Sequence, residues 1–294
     1  NARAGWKFPL HCIDFETSAV AIPFASGRHP YEITAFQFSH HVVHEDGRVE
    51  HRSEWLCAKP GVDPNIDFVR ALRDALSNDD GTIFRWSAHE NTVLNKLREE
   101  LLASAAPPPD KDALVNFIES ITSRSVSPKE KIHGPRTMVD LCDIAEKFYF
   151  HPSTKGSNSL KKVLPALMKS SIVLRETYGK ATYGGKGVSL NFVEPIAWWQ
   201  ERDGQVMDPY ALLPPVFDDV SRDETDAADE GLSEELKEGG AAMAAYARLQ
   251  FEDLSDTRRA SIESALLRYC ELDTLAMVMA IQAWDHMAAT SSRT

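Results

Sequence analysis

The first part of the chain carries strand-like patterns of apolar and polar residues. "HCIDFETSAV", residues 11–20, is largely apolar but carries Asp14 and Glu16. Because side chains alternate along a strand, both acids point to one face, with their backbones roughly 6.5–7 Å apart. Residues 31–43 predict a second strand, the Asp-Gly pair in "HEDGRVE" predicts a turn, and "HRSEWLCA" predicts the returning strand.

Apolar residues at helical spacing predict helices in the rest of the chain. "GTIFRW" predicts a short strand, and "ASAAPPPDKD" has the composition of a linker. Residues from about 181 to 258 are turn-rich and acidic, which indicates an insertion. This order favours a single α/β domain over residues 1–294, with an antiparallel hairpin portion. The predicted helices cover residues 65–77, about 87–102, the segment "MVDLCDIAEKFYF" and about 257–289.

The last predicted helix has an acid on its apolar face. No lysine or arginine stands three or four residues from Asp273 in the sequence. A buried, unpaired carboxylate costs several kcal/mol unless a cation or hydrogen bonds compensate it. The alternative is that the helix is rotated and Asp273 faces solvent. The other members of the stripe, at intervals of three or four, are Ile262, Leu266, Tyr269, Met277 and Ile281.

The distribution of charge limits the kinds of partner. A formal net charge of −12 argues against a protein that coats nucleic acid through its overall field. Ten acids and two basic residues stand between Asp218 and Glu238, which is typical of a solvated loop or helix face. "HPSTKGSNSLKKVLPALMK" is basic instead, and its Lys161 and Lys162 are candidates for phosphate contact or simply an exposed helix surface.

The chain carries no pattern that would direct it to a membrane. No apolar run reaches the length of a membrane span, and no secretory pattern begins the sequence. Its four cysteines are scattered and form no CxxC pair, which favours reduced thiols and a cytoplasmic protein. Because the first residue is Asn1 rather than Met, we expect a fragment of a longer chain or a processed one.

The two acidic features together resemble a nuclease superfamily. The D-x-E of the first strand and "YCELD" of the last helix are similar to motifs of the DEDD 3′–5′ exonucleases, in the subclass whose last motif carries Tyr rather than His. The resemblance implies an RNase H-like fold and hydrolysis of phosphodiester bonds in single-stranded DNA or RNA. It also implies two Mg²⁺ or Mn²⁺ ions, held by Asp14, Glu16 and Asp273, with Tyr269 holding the attacking water.

The middle motif of that superfamily is imperfect here. "FRWSAHENTVLNKL" offers Glu90 where the superfamily has Asp, His89 where it has Phe, and Trp86 where it has Asn. Glu90 is the expected fourth ligand, although Ser87 and Glu90 also fit a capping box at a helix start. The other candidates for the fourth acid are Asp140 and Asp143.

Three aromatic residues near these acids are candidate substrate contacts. Trp86 and His89 are placed to stack on a terminal base, with core packing as the commoner role for such a Trp. Phe15 lies between the two acids of the first strand and is expected to pack behind it.

Longer strings resemble the bacterial family described as domain of unknown function 2779. They are "DFET", "RHPYEITAFQFSHH", "MVDLCDIAEKFYFHPSTKGSNSLKKVLPAL" and "YCELDTLAM". The resemblance implies that an additional nuclease-like domain can precede this one in a longer chain. Two other functions stay open: an RNase H-like endonuclease using the same acids, and a degenerate scaffold that binds nucleic acid or protein without cutting.

Overall fold

A mixed sheet of five strands forms the centre of the protein. The computed structural model describes residues 3, 5–127, 130–213 and 234–291. The strands are β1 (Leu10–Ser18), β2 (Thr34–Val43), β3 (Val49–Leu56), β4 (Ile83–Arg85), β5 (Ser123–Ser127), β6 (Glu130–His133), β7 (Val139–Asp140), β8 (Glu201–Arg202) and β9 (Gln205–Val206). The main sheet has the order β3-β2-β1-β4-β7, while β5-β6 and β8-β9 form separate hairpins. β1, β2 and β3 pair antiparallel, and β4 and β7 continue the sheet parallel to β1.

Helices cover both faces of this sheet. One face of β1, through Ile13 and Phe15, packs with α1, α2 and α3 in one apolar core. The other face, through Leu10 and Cys12, packs with α4, α5, α6 and α8 in a second core. The helices are α1 (Asn65–Leu76), α2 (His89–Ala103), α3 (Lys111–Ile121), α4 (Leu141–Phe148), α5 (Leu160–Ser170), α6 (Ile172–Tyr178), α7 (Glu234–Phe251) and α8 (Asp256–Ser291).

The predicted α/β class, with a mixed sheet flanked by helices, is confirmed, but three segments differ from expectation. The end of "ASAAPPPDKD" is helical, because α3 begins at Lys111. "MVDLCDIAEKFYF" begins as strand β7, and Asp140 caps α4 by accepting a hydrogen bond from the Cys142 amide. The second strand begins at Thr34 rather than at residue 31.

The predicted insertion at about 181–258 is closely packed in its first part. Tyr183, Phe192 and Trp198 are buried in the core shared with α8. α7 packs on α8 through Ala245 and Leu249. Residues 218–233 of the acidic run, predicted to be a solvated loop or helix face, lie outside the described residues. Among the helices that the structure describes, none is long and apolar enough to cross a membrane.

Candidate metal centre

The two acids of β1 lie where this strand runs past its short neighbour. β1 pairs with β4 at His11 and Cys12, and β4 ends at Arg85, while β1 continues to Ser18. Asp14 and Glu16 therefore stand at the carboxyl end of two parallel strands, where open α/β sheets bind their ligands. They share a face of the strand with Leu10 and Cys12, so both point toward α8.

α8 brings Asp273 to the same place. Asp273 is only 7% exposed, which excludes the alternative of an acid that faces solvent. One turn earlier, the Cys270 thiol lies 3.7 Å from Asp14 Oδ2 and can donate to it. Gln37 Nε2 of β2 donates to the Leu266 carbonyl at 2.8 Å, which holds α8 against the sheet. The packing of α8 on β1 and β2 therefore fixes the position of the third acid.

Glu90 is buried at the start of α2 and does not form a capping box. The residue before the helix, Ala88, makes no side-chain cap, and the Ser87 amide donates instead to Asp140 Oδ1 at 2.9 Å. Glu90 is 1% exposed, and its Oε2 has no hydrogen-bond partner among the described residues. A buried carboxylate oxygen without a partner is costly, and a bound cation would supply the missing contact.

The two alternative fourth acids are engaged elsewhere. Asp140 accepts hydrogen bonds from the amides of Ser87 and Cys142 and pairs with Arg85 Nη1 at 2.8 Å. Asp143 is exposed and pairs with Lys147 one turn along α4 at 3.7 Å. Neither side chain needs a further cation.

The buried carboxylates raise one another's pKa. Burial raises the pKa of Asp14 well above its usual value, and the charges of Asp273, Glu90 and Glu16 raise it further. Burial, and then the charge of Asp273, raises the pKa of Glu16 to about 8. Burial is also the main cause that raises the pKa of Glu90 to about 8. Lys161 acts in the opposite direction on Asp14 and Glu16. Such mutual repulsion is what a divalent cation between the acids would relieve.

The donor set fits a hard divalent cation. Single ligand atoms of Asp14, Glu16 and Cys270 lie within 4.8 Å of one another. Burial raises the pKa of the Cys270 thiol well above its usual value, so the sulfur stays protonated and orients Asp14 as a donor. The remaining groups are carboxylates, and oxygen ligands of this kind suit Mg²⁺ and Mn²⁺.

Two tyrosines and a lysine line this carboxylate cluster. The Tyr210 hydroxyl donates to Asp273 Oδ1 at 2.6 Å, and its ring centre lies 6.0 Å from that of Tyr269. Lys161 Nζ stands 4.9 Å from the ring centre of Tyr269 and 5.8 Å from that of Tyr210. Tyr210 was not predicted from the sequence, because it comes from a turn-rich segment and only tertiary packing brings it to Asp273.

The substrate candidates separate into two groups. His89 is exposed, and its Nε2 makes a hydrogen bond with Thr17 Oγ1 at 3.1 Å, just beyond Glu16. Trp86 is 8% exposed, donates to the Asn158 carbonyl at 3.0 Å and stacks on Trp284. Phe15 packs edge to face on Phe68, behind the strand as expected. The rings of Trp86 and Phe15 therefore belong to the cores, and His89 is the exposed side chain of the three.

A second group of possible metal ligands lies on the β3 side of α8. It consists of His51, Glu54 and Glu271. Here the protein itself supplies partners: His51 Nδ1 lies 3.0 Å from Glu271 Oε2, and Tyr183 and Ser189 donate to Glu271 Oε1. We interpret this group as a polar network in which Tyr183 and Ser189 satisfy Glu271, while His51 Nδ1 has an ion-pair contact with Glu271 but no hydrogen-bond partner among the described residues.

Comparison with known proteins identifies the family. The model of the family described as Domain of unknown function (DUF2779) matches residues 11–159, about half of the chain. The matched part includes Asp14, Glu16 and Glu90 and ends before α5. No curated protein and no solved structure matches the chain. The protein belongs to the DUF2779 family.

Proposed function

We propose that this protein is a metal-dependent 3′–5′ exonuclease that hydrolyses phosphodiester bonds of single-stranded DNA or RNA. The observation that carries the proposal is the meeting of four carboxylates from three separate segments, of which Glu16, Glu90 and Asp273 are buried and Asp14 is half-buried. β1 supplies Asp14 and Glu16, α2 supplies Glu90, and α8 supplies Asp273. The raised pKa values of Asp14, Glu16 and Glu90 and the unpartnered oxygen of Glu90 favour a bound cation over a purely structural cluster.

The four acids would hold two Mg²⁺ or Mn²⁺ ions, which when bound polarise the phosphate and lower the pKa of the attacking water. The other residues have separate tasks. The Tyr269 hydroxyl holds the attacking water for in-line attack at phosphorus, and the 3′ oxygen of the remaining strand leaves. Lys161, beside Tyr269, stabilises the negative charge that grows on the phosphate oxygens.

The sheet supports the RNase H-like part of the proposal. An antiparallel β1–β3 portion continues into the parallel strands β4 and β7, and the acids of the central strand stand at its carboxyl end. The final long helix then lies across the sheet with its own acid inward. We infer that the strand and helix acids act together here, as the resemblance to the DEDD exonucleases implies.

The direct test uses DNA and RNA oligonucleotides labelled at either end, with Mn²⁺, against wild type and Asp273→Asn. A 5′ label should give a ladder that shortens from the 3′ end, a 3′ label should give a mononucleotide first, and the variant should be inactive. A circular single strand should stay intact. Cutting of the circle would favour the endonuclease, and no cutting together with no Mn²⁺ binding would favour the scaffold.

A further inference from the structure

We propose that the segment joining α4 to α5 is a binding surface for single-stranded nucleic acid. Phosphates would enter a basic pocket in this surface, and bases would stack on two exposed phenylalanines. This inference rests on the proposed function, because it assigns the path that the substrate strand takes away from the carboxylates. We call it the α4–α5 surface, made of Phe148, Phe150, Lys155 and Lys162.

The pocket has the chemistry of a phosphate site. It has a volume of about 590 Å³ and its lining contains two lysines, three hydroxyl side chains, a glycine and no acid. Lysine ammonium groups and hydroxyls are the usual donors to phosphate oxygens in nucleic-acid complexes. The lining residues are Ser153, Thr154, Lys155, Gly156, Ser157 and Lys162.

Two large aromatic side chains that precede this pocket closely in the sequence are exposed to solvent. Phe148 is 74% exposed and Phe150 is 81% exposed. Between them Tyr149 has extended backbone, with φ −118° and ψ 127°, and its side chain packs on the core. The two phenylalanine rings therefore face solvent, while the tyrosine between them faces the core. Exposed rings next to lysines are the pattern with which proteins bind single strands, because every base offers a face for stacking.

The charge of this segment favours an anionic occupant. Six Lys and Arg residues stand between Glu146 and Glu176, with no acid among them, in a chain whose net charge is −12. Asp208, in the turn before Tyr210, is an acid that faces Lys161, Lys162 and Lys169. Lys155 and Lys162 themselves are exposed and available to a ligand.

The surface is continuous with the carboxylate cluster. Lys161 and Lys162 are successive residues of α5, about 100° apart around the helix. Lys161 reaches Tyr269, while Lys162 lines the pocket. The hydrogen bond from Trp86 Nε1 to the Asn158 carbonyl, 3.0 Å long, fixes the loop to the segment that precedes Glu90. A strand with its 3′ end at the carboxylates would therefore pass Lys161 and reach the pocket.

The test measures binding of labelled oligo(dT) to the full chain by fluorescence anisotropy in EDTA, where no cutting occurs. We expect Phe148→Ala/Phe150→Ala and Lys155→Glu/Lys162→Glu each to raise Kd about tenfold or more. The matched controls, Ile22→Ala and Lys59→Glu, change exposed residues away from the surface and should leave Kd unchanged. An abasic oligonucleotide should respond to the lysine variant and not to the phenylalanine variant.

Two results would contradict the proposed role of the α4–α5 surface. One is an unchanged Kd for both double variants, provided that their melting temperatures show that they are folded. The other is that polyglutamate, added at the same concentration of negative charge, displaces oligo(dT), which would indicate a site for an acidic protein. The nuclease proposal can fail separately from the surface. If the protein binds oligo(dT) through this surface but never cuts it, only the proposed activity is contradicted. If both double variants cut at the wild-type rate, only the proposed surface is contradicted.

Discussion

At the level of single residues, Glu90 gives the most specific prediction. Its side chain is buried, its Oε2 lacks a partner among the described residues, and burial raises its pKa to about 8. Glu90→Gln should raise the melting temperature in EDTA at pH 7 by about 3–8 °C, because it removes the free energy that folding spends on protonating this buried carboxyl. It should also abolish most of the stabilisation by millimolar Mn²⁺. Thermal melting with and without Mn²⁺ measures both effects.

The control for Glu90 is Asp143→Asn on the exposed face of α4. Asp143 pairs only with Lys147 in the described structure, so neither melting temperature should change by more than about 1 °C. If the Glu90→Gln variant keeps the full stabilisation by Mn²⁺, Glu90 is not a metal ligand.

Tyr210 should act on the metal through Asp273. Its hydroxyl donates to Asp273 Oδ1 at 2.6 Å, and loss of such a supporting hydrogen bond typically weakens metal binding 10- to 100-fold. Tyr210→Phe should therefore weaken Mn²⁺ binding about tenfold or more in a calorimetric titration. Tyr246→Phe is the matched control, because the Tyr246 hydroxyl is buried without a partner among the described residues. Equal Mn²⁺ affinities of the two variants would contradict this role.

At the level of elements, the junction of β1, α2 and α8 should make stability depend on pH. The pKa values of Glu16 and Glu90 are about 8, so the folded protein binds more protons than the unfolded chain from about pH 4.5 to pH 8. The free energy of unfolding in EDTA should therefore fall as pH rises through this range. Denaturant titrations at pH 5, 6, 7 and 8 check this, and saturating Mn²⁺ should reverse the trend. A rising free energy over the same range in Glu16→Gln and wild type alike would contradict it.

A second junction ties β3 to α8 through buried charge. Glu271 accepts from Tyr183 and Ser189 and pairs with His51, which lowers the pKa of Glu271 despite its burial. Glu271→Ala should cost about 3–5 kcal/mol of unfolding free energy, since His51 then loses its partner. A lowered carboxyl pKa contributes stability above about pH 4.5 that is lost as pH falls through the folded value. Urea unfolding measures the cost, and a loss below about 1 kcal/mol would contradict the network.

Elements that are marked by local sequence patterns were predicted from the sequence, whereas features that depend on tertiary contacts were not. β1, the β2–β3 hairpin, α1, α2 and α8 were visible because apolar periodicity is local. α3 was missed because its first turn overlaps a Pro- and Ala-rich linker, and β7 because two residues carry no period. The inward position of Asp273 was readable from its stripe, whereas Tyr210 and Cys270 meet the acids only through tertiary packing.

At the scale of the whole molecule, the protein is acidic overall but has one segment that is basic. The net charge of −12 repels a nucleic acid at long range, while the segment from 147 to 175 carries only positive charge. In the proposed binding mode, the α4–α5 surface and Lys161 would give the polyanion one favourable route, which would lead to the carboxylate cluster. Specificity for one strand end would then come from geometry and local charge rather than from the overall field.

The most direct test of the central claim is a crystal structure with Mn²⁺, using anomalous scattering to locate the ions. Two peaks are expected about 3.5–4 Å apart, enclosed by the carboxylates of Asp14, Glu16, Glu90 and Asp273. Peaks found only at His51, Glu54 and Glu271, or no peak beside Asp14 at saturating Mn²⁺, would contradict it.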